Sequence, residues 1–140
     1  MSKLTYLNAT EETGKAFYLS EIEGTIVMLN LLKFRKWADY SNFKDIDPGK
    51  QTSGEEAYQL YIKNTLPFLK DSGSEVLFQG NAGGFLIGPE NQNWDLVLLV
   101  KHKSKADFLK FASNKDYLRI SGHRTAAIED SRLLPITETS

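Results

Sequence analysis

Two stretches of this chain are apolar on both of their alternating faces, and nothing else in it narrows the possible folds as much. Thr25 to Phe34 reads Thr-Ile-Val-Met-Leu-Asn-Leu-Leu-Lys-Phe, and Trp94 to His102 reads Trp-Asp-Leu-Val-Leu-Leu-Val-Lys-His. A strand with apolar side chains at both parities needs cover on both sides, so each stretch belongs in the middle of a sheet. Both are far shorter than the roughly 20 residues that cross a bilayer, so neither is a membrane span. The 140 residues are one domain's worth of chain, and 8 Phe, 6 Tyr and 2 Trp can fill a single core.

The stretches around these two strands follow other periods. Thr10 before Glu11 and Glu12 caps a short helix over Glu11 to Glu21, which Gly24 ends. Arg35 to Thr52 has no clean period and contains Asp47-Pro48-Gly49, so it reads as a long loop, of the kind that often serves as a lid. Ser53 with Glu56 fits a capping box, and Tyr58, Tyr61, Ile62, Thr65, Leu66 and Leu69 then share one helical face, with a bend expected at Pro67 and a stop at Ser72-Gly73. Ser74 to Gly80 reads as a strand, continued after a glycine-rich turn by Phe85 to Gly88. Ser104 with Asp107 opens one short helix, and Ser113 with Asp116 opens another through Tyr117, His123 and Ala127. Ser131 to Ile136 is the last strand, placed near an edge by Pro135.

The order strand, helix, strand, strand, helices, strand is the split βαβ pattern of an α+β, ferredoxin-like sandwich with a four-stranded antiparallel sheet. Residues 1–24 form an N-terminal helical extension and residues 25–140 the ferredoxin-like domain. Such a sheet carries helices on one face only. The two-faced strands therefore call for a cover from outside the chain, and a homodimer packed sheet against sheet supplies it.

Composition removes several functions. The chain has 17 Lys and Arg against 18 Asp and Glu, spread along its length, so it offers no basic stripe to nucleic acid. With no Cys there is no thiolate site or disulfide, and the two histidines, His102 and His123, are too few for a histidine-rich metal cage. The start lacks the apolar core of a secretory signal, and a cytoplasmic location is expected. No phosphate loop, dinucleotide fingerprint or nucleophile elbow is present, so no cofactor is expected.

What remains is a polar set at apolar positions. Asn30 lies on the Ile26, Met28 and Leu32 face of a buried strand, where it is either a satisfied core amide or a ligand anchor. His123 and Arg124 are the most chemically capable dipeptide: the imidazole titrates near neutral pH, and the guanidinium can fork onto a carboxylate. Both also suit a structural role, with Asp95 as a partner for Arg124. Tyr61, with Trp37 and Tyr40 of the long loop, can wall a cavity between sheet and helices or simply fill the core. On the functional reading, His123 is catalytic and exchanges a proton with a small organic acid or aromatic compound. Asn30 and Arg124 then hold its oxygen atoms, and Tyr61 and Trp37 close the walls. A non-catalytic, ligand-sensing or interaction module fits the same residues.

Val27-Met-Leu-Asn-Leu-Leu-Lys-Phe-Arg35, Gly54-Glu-Glu-Ala-Tyr58, Trp94-Asp-Leu-Val97 and Lys115-Asp-Tyr117 running into His123-Arg-Thr-Ala-Ala127 resemble the domain of unknown function 1330 group of the dimeric α/β-barrel superfamily. The resemblance implies a ferredoxin-like protomer that dimerises through its sheet, and it implies no particular reaction. It carries over His123-Arg124 as a polar centre, with Asn30 across from it. The wider superfamily includes cofactor-independent monooxygenases, isomerases and haem-binding proteins. A monooxygenase or isomerase is thereby one expectation, and a haem protein with His102 or His123 on the iron is another.

Overall fold

The computed structural model describes residues 4–139. The chain forms α1 (Glu11–Leu19), β1 (Ile26–Phe34), a 3-10 turn (Lys44–Ile46), α2 (Gly54–Asp71), β2 (Glu75–Asn81), β3 (Leu96–His102), α3 (Lys105–Ala112), α4 (Lys115–Ile120), α5 (Gly122–Ala127) and β4 (Ile128–Thr137). The strands make one antiparallel sheet in the order β2-β3-β1-β4. The β1-α2-β2 crossover leaves a gap that β3 fills, which is the ferredoxin-like topology read from the sequence. The two strands apolar on both faces take the two central places, and Pro135 lies in an edge strand.

One face of the sheet meets the helices. Ile26, Met28 and Leu32 of β1 are almost wholly buried there, with Leu96 and Leu98 of β3, and Leu32, Tyr58, Ala127 and Ile128 belong to one continuous core. The other face carries Val27, Leu29, Leu31, Val97 and Leu99, all half-buried, and the register sets Phe78, Leu134 and Ile136 beside them. These last three are 56%, 55% and 38% exposed, and among the described residues no element lies over them to form a second layer.

Local chemistry fixes the boundaries. The Ser53 hydroxyl accepts from the Glu56 N–H at 3.0 Å and donates to the Glu56 carboxylate, and α2 starts there. The helix runs through Pro67 to Asp71 and stops where Gly73 takes a φ of +73°, a conformation that favours glycine. Gly54 is required for a different reason: a Cβ there would collide with the backbone carbonyls of Arg35 and Ala127, so α2 begins in direct contact with the ends of β1 and α5.

Five sequence readings need correction. Phe85 to Gly88 is not a strand; Gly84 makes one bridge to Asn93, and beyond it Leu86 and Ile87 are almost fully exposed. Asn114, not Ser113, caps α4, because its side chain accepts from the Asp116 and Tyr117 N–H groups while Ser113 closes α3. The helix expected through Ala127 breaks at Ser121, and the last strand starts at Ile128 rather than Ser131. The loop from Arg35 to Thr52 is not a cover for the inner cavity. It folds against α5, with Asp39 N–H donating to Ala126 O and with Phe43 and Ile46 set against Gly122, where a Cβ would meet each of them at 2.7 Å.

Candidate functional site

A cavity of about 440 Å³ lies between the helix-facing side of the sheet and the helices. Its floor is Met28 and Asn30 of β1 with Leu98, Val100 and His102 of β3, the alternate residues of two central strands. One wall is the apolar face of α2 from Tyr58 to Leu69, and α3 and α4 supply Phe108, Phe111 and Tyr117 opposite. The segment before α1 closes one side through Leu7, Asn8 and Ala9.

That segment is strapped down by β4 and α5. The Tyr6 N–H donates to Asp130 Oδ1 at 2.8 Å, and the Ser131 hydroxyl donates to Tyr6 O at 2.6 Å. Arg132 lies over the Tyr6 ring, 4.8 Å from its centroid, and pairs with Asp130 at 2.6 Å. Burial pushes the Asp130 carboxyl up, but the Tyr6 N–H, the Arg132 hydrogen bond and the Arg132 charge outweigh it and hold the group below its ordinary value.

Arg124 is the charged group of the cavity. It is half-buried, Nη1 donates to Leu7 O at 2.9 Å, and Nη2 is 3.4 Å from the Ser131 hydroxyl. Both partners are neutral, and among the described residues no carboxylate lies within ion-pair distance of it. A guanidinium taken partly out of water with no counter-charge is costly, and a carboxylate arriving in the cavity would meet a fork of matching shape. Thr65 is buried against the same space, and among the described residues its Oγ1 has no hydrogen-bond partner. Asn30 Nδ2 reaches Met28 O at 3.3 Å and Leu98 O at 3.5 Å, the long end of hydrogen bonding.

Aromatic rings continue from Arg124 inward. Tyr58 packs on Tyr61 at 5.2 Å between centroids, and the Tyr61 hydroxyl meets the Tyr117 hydroxyl at 2.7 Å. Burial raises the Tyr58 and Tyr117 phenols while Arg124 pulls both slightly down, so both stay protonated at neutral pH. Tyr117 stacks on Phe111 at 4.4 Å, and His102 lies 5.7 Å from Phe111 and 4.9 Å from Phe108. His102 Nδ1 is 2.8 Å from the Ser74 hydroxyl, and burial lowers the imidazole to about 4, so the ring is neutral in ordinary buffers.

The structure brings Asn30, Tyr61 and Arg124 together in the cavity wall and leaves His123 and Trp37 out of it. His123 is buried on the other side of α5, with Nδ1 2.7 Å from the Tyr40 hydroxyl and a pKa lowered by burial. Tyr40 in turn is pushed up to about 12 by burial and by the Asp47 charge. Trp37 is 49% exposed and bridges to Ser53. Asp95 is not the partner of Arg124: its carboxylate accepts from the Phe34 N–H at 2.7 Å. Sequence reasoning passed over His102, Tyr117 and Thr65 as cavity residues. A period of two from Leu96 would have put His102 on the Leu98 face, and the helical face of Tyr61 already contained Thr65. Among the described residues no group of three His, Asp or Glu side chains is placed to hold a metal ion, and no helix is long and apolar enough to cross a membrane.

By topology and layering this is an α+β protein of the ferredoxin-like fold. It is similar to a protein of unknown function from Rhodopseudomonas palustris, RPA0582, at 32% sequence identity and a TM-score of 0.86, over 98% of this chain and 99% of that chain. The methylated form of RPA0582 matches at 33% identity and a TM-score of 0.86, over 97% of this chain and 96% of that one. The chain belongs to the family of the RPA0582 protein. A dabb family protein with a ferredoxin-like fold from Mesorhizobium loti is 12% identical at a TM-score of 0.52, over 84% of this chain and 99% of that chain, and shares the fold alone. No protein-family model and no curated protein matches the chain.

Proposed function

We propose that the protein is a homodimeric binding protein for a small organic acid, held between sheet and helices with its carboxylate on Arg124. The observation that carries this is the half-buried Arg124 guanidinium, bonded among the described residues only to neutral oxygens, in the wall of a largely apolar cavity. A carboxylate there accepts two parallel N–H bonds and supplies the missing counter-charge. Asn30 offers an amide from the floor, and Tyr61 with Tyr58 walls the apolar part of the ligand. Binding stands ahead of turnover in this reading, because His123, the proton carrier that sequence favours, lies outside the cavity lining. The resemblance to the domain of unknown function 1330 group, which no protein-family model supports, adds no reaction to this reading.

The second copy belongs to the same reading. Phe78, Leu134 and Ile136 stand exposed beside five half-buried aliphatic residues on one sheet face, a contiguous apolar surface that a twin sheet would cover.

A thermal-shift screen of small carboxylates at millimolar concentration, each paired with its neutral amide, tests the binding claim. A bound ligand raises stability by RT ln(1 + [L]/Kd), so acids should raise the melting temperature and their amides should do so much less. Arg124→Met should remove at least tenfold in affinity, with Arg124→Lys between the two. Acids that stabilise the Arg124→Met protein as well as the native one would contradict the assignment.

A further inference from the structure

The cavity is long as well as apolar. Its wall on α2 runs from Tyr58 to Leu69, eleven positions along the helix, or roughly 16 Å at about 1.5 Å per residue. The sheet agrees. His102 pairs with Ile26, and Ser131, which Arg124 reaches, pairs with Leu32. Those six positions of strand correspond to roughly 20 Å at about 3.3 Å each. A cavity of about 440 Å³ over such a length has a mean cross-section of roughly 25 Å², the girth of one hydrocarbon chain or of a flat ring viewed edge-on.

Its two ends differ in kind. Arg124 and the Tyr58 ring occupy one. The other is Leu69, Val76, Val100, Phe108 and Phe111, with a His102 ring whose Nδ1 is already engaged by Ser74. That imidazole is neutral above about pH 4, so this end offers a ligand no charge. Between the ends the ring contacts are unbroken, from Tyr58 through Tyr61, Tyr117 and Phe111 to His102.

We propose that the ligand is an elongated amphipathic acid, an unbranched chain ended by one carboxylate, lying along α2 with its head on Arg124 and its tail among Leu69, Phe108 and Phe111. This rests on the reading that Arg124 receives an anion, and adds to it the length and polarity of the ligand. Each methylene that enters the apolar part should raise affinity roughly three- to fourfold, until the chain meets the far end and the gain stops.

The test is calorimetric titration of the full chain, in detergent-free buffer below micelle formation, with butyrate, hexanoate, octanoate, decanoate and dodecanoate. Benzoate and the alcohols of matching length are the comparators. Expected are a steady rise with chain length followed by a plateau, alcohols at least tenfold weaker than acids, and loss of the acid preference in Arg124→Met. Ala112→Phe narrows the far end and should bring the plateau to shorter chains; if that variant does not fold, Val100→Phe serves. Affinity that is flat with chain length, while benzoate binds through Arg124, overturns the elongated ligand and leaves the acid site standing. Binding of no carboxylate at all overturns both. Alcohols that match the acids, or a plateau that stays in place in the narrowed variant, overturn the proposed orientation.

Discussion

His123 and Arg124 are neighbours in the chain and end in different surroundings. Successive residues of a helix point about 100° apart, so one of the two can face the cavity while the other faces the Arg35 to Thr52 loop. The dipeptide was legible in the sequence as a polar centre, and Asn30 and Tyr61 were legible by period. Which of the two adjacent residues points inward was not, because that depends on the helix break at Ser121, for which the residues give no capping side chain. His102 shows the reverse case. It lies on the core face of β3 by simple alternation, yet burial and the Ser74 hydroxyl make it a neutral part of the wall. Its stability effect has a definite sign. The folded ring titrates at about 4 and the unfolded one near 6.5, so between these values the unfolded chain binds more protons. The contribution is complete above about pH 6.5, erodes as the pH falls, and levels off below about 4, with a total on the order of 3 kcal/mol. Urea unfolding from pH 7 to pH 4 should show this acid-side loss, and His102→Gln should flatten it. An unchanged slope in the variant would place the titration elsewhere.

Among the elements, α2 matters most for the site, since it supplies the wall from Tyr58 to Leu69. Its start was readable from Ser53 and Glu56, and its inner face from the 3.6-residue period. What no pattern reveals is how close its first turn comes to two other elements. Gly54 N–H donates to Arg35 O at 3.1 Å, and the space for a side chain is already taken by the Arg35 and Ala127 carbonyls. Gly54→Ala should therefore cost about 2–3 kcal/mol despite alanine's better helix propensity, because backbone must move to admit the methyl group. The midpoint of urea unfolding measures it, and a neutral or stabilising effect would mean that the three elements are not in contact. The Arg35 to Thr52 loop was unreadable for a related reason. Its Tyr40, Phe43 and Ile46 are spaced without a period because they fill separate gaps beside α5, at His123 and Gly122. The N-terminal segment likewise reads as an appendage, since backbone bonds from Tyr6 and Leu7 to distant side chains leave no mark on the sequence.

For the molecule as a whole, the strongest inference from sequence was that two strands have nowhere to put their second face. That face is the half-buried and exposed aliphatic surface around Leu29, Leu99 and Leu134, opposite the one that builds the cavity. Covering it would stabilise the sheet and, through β1 and β3, the cavity floor that shares those strands. Central positions of such an interface tolerate charge poorly, so Leu99→Asp should separate the copies while leaving the helix-facing core untouched. Sedimentation equilibrium at micromolar concentration tests this most directly. The account predicts the mass of two chains for the native protein and of one chain for Leu99→Asp. A native protein that sediments as a single chain at these concentrations would contradict it.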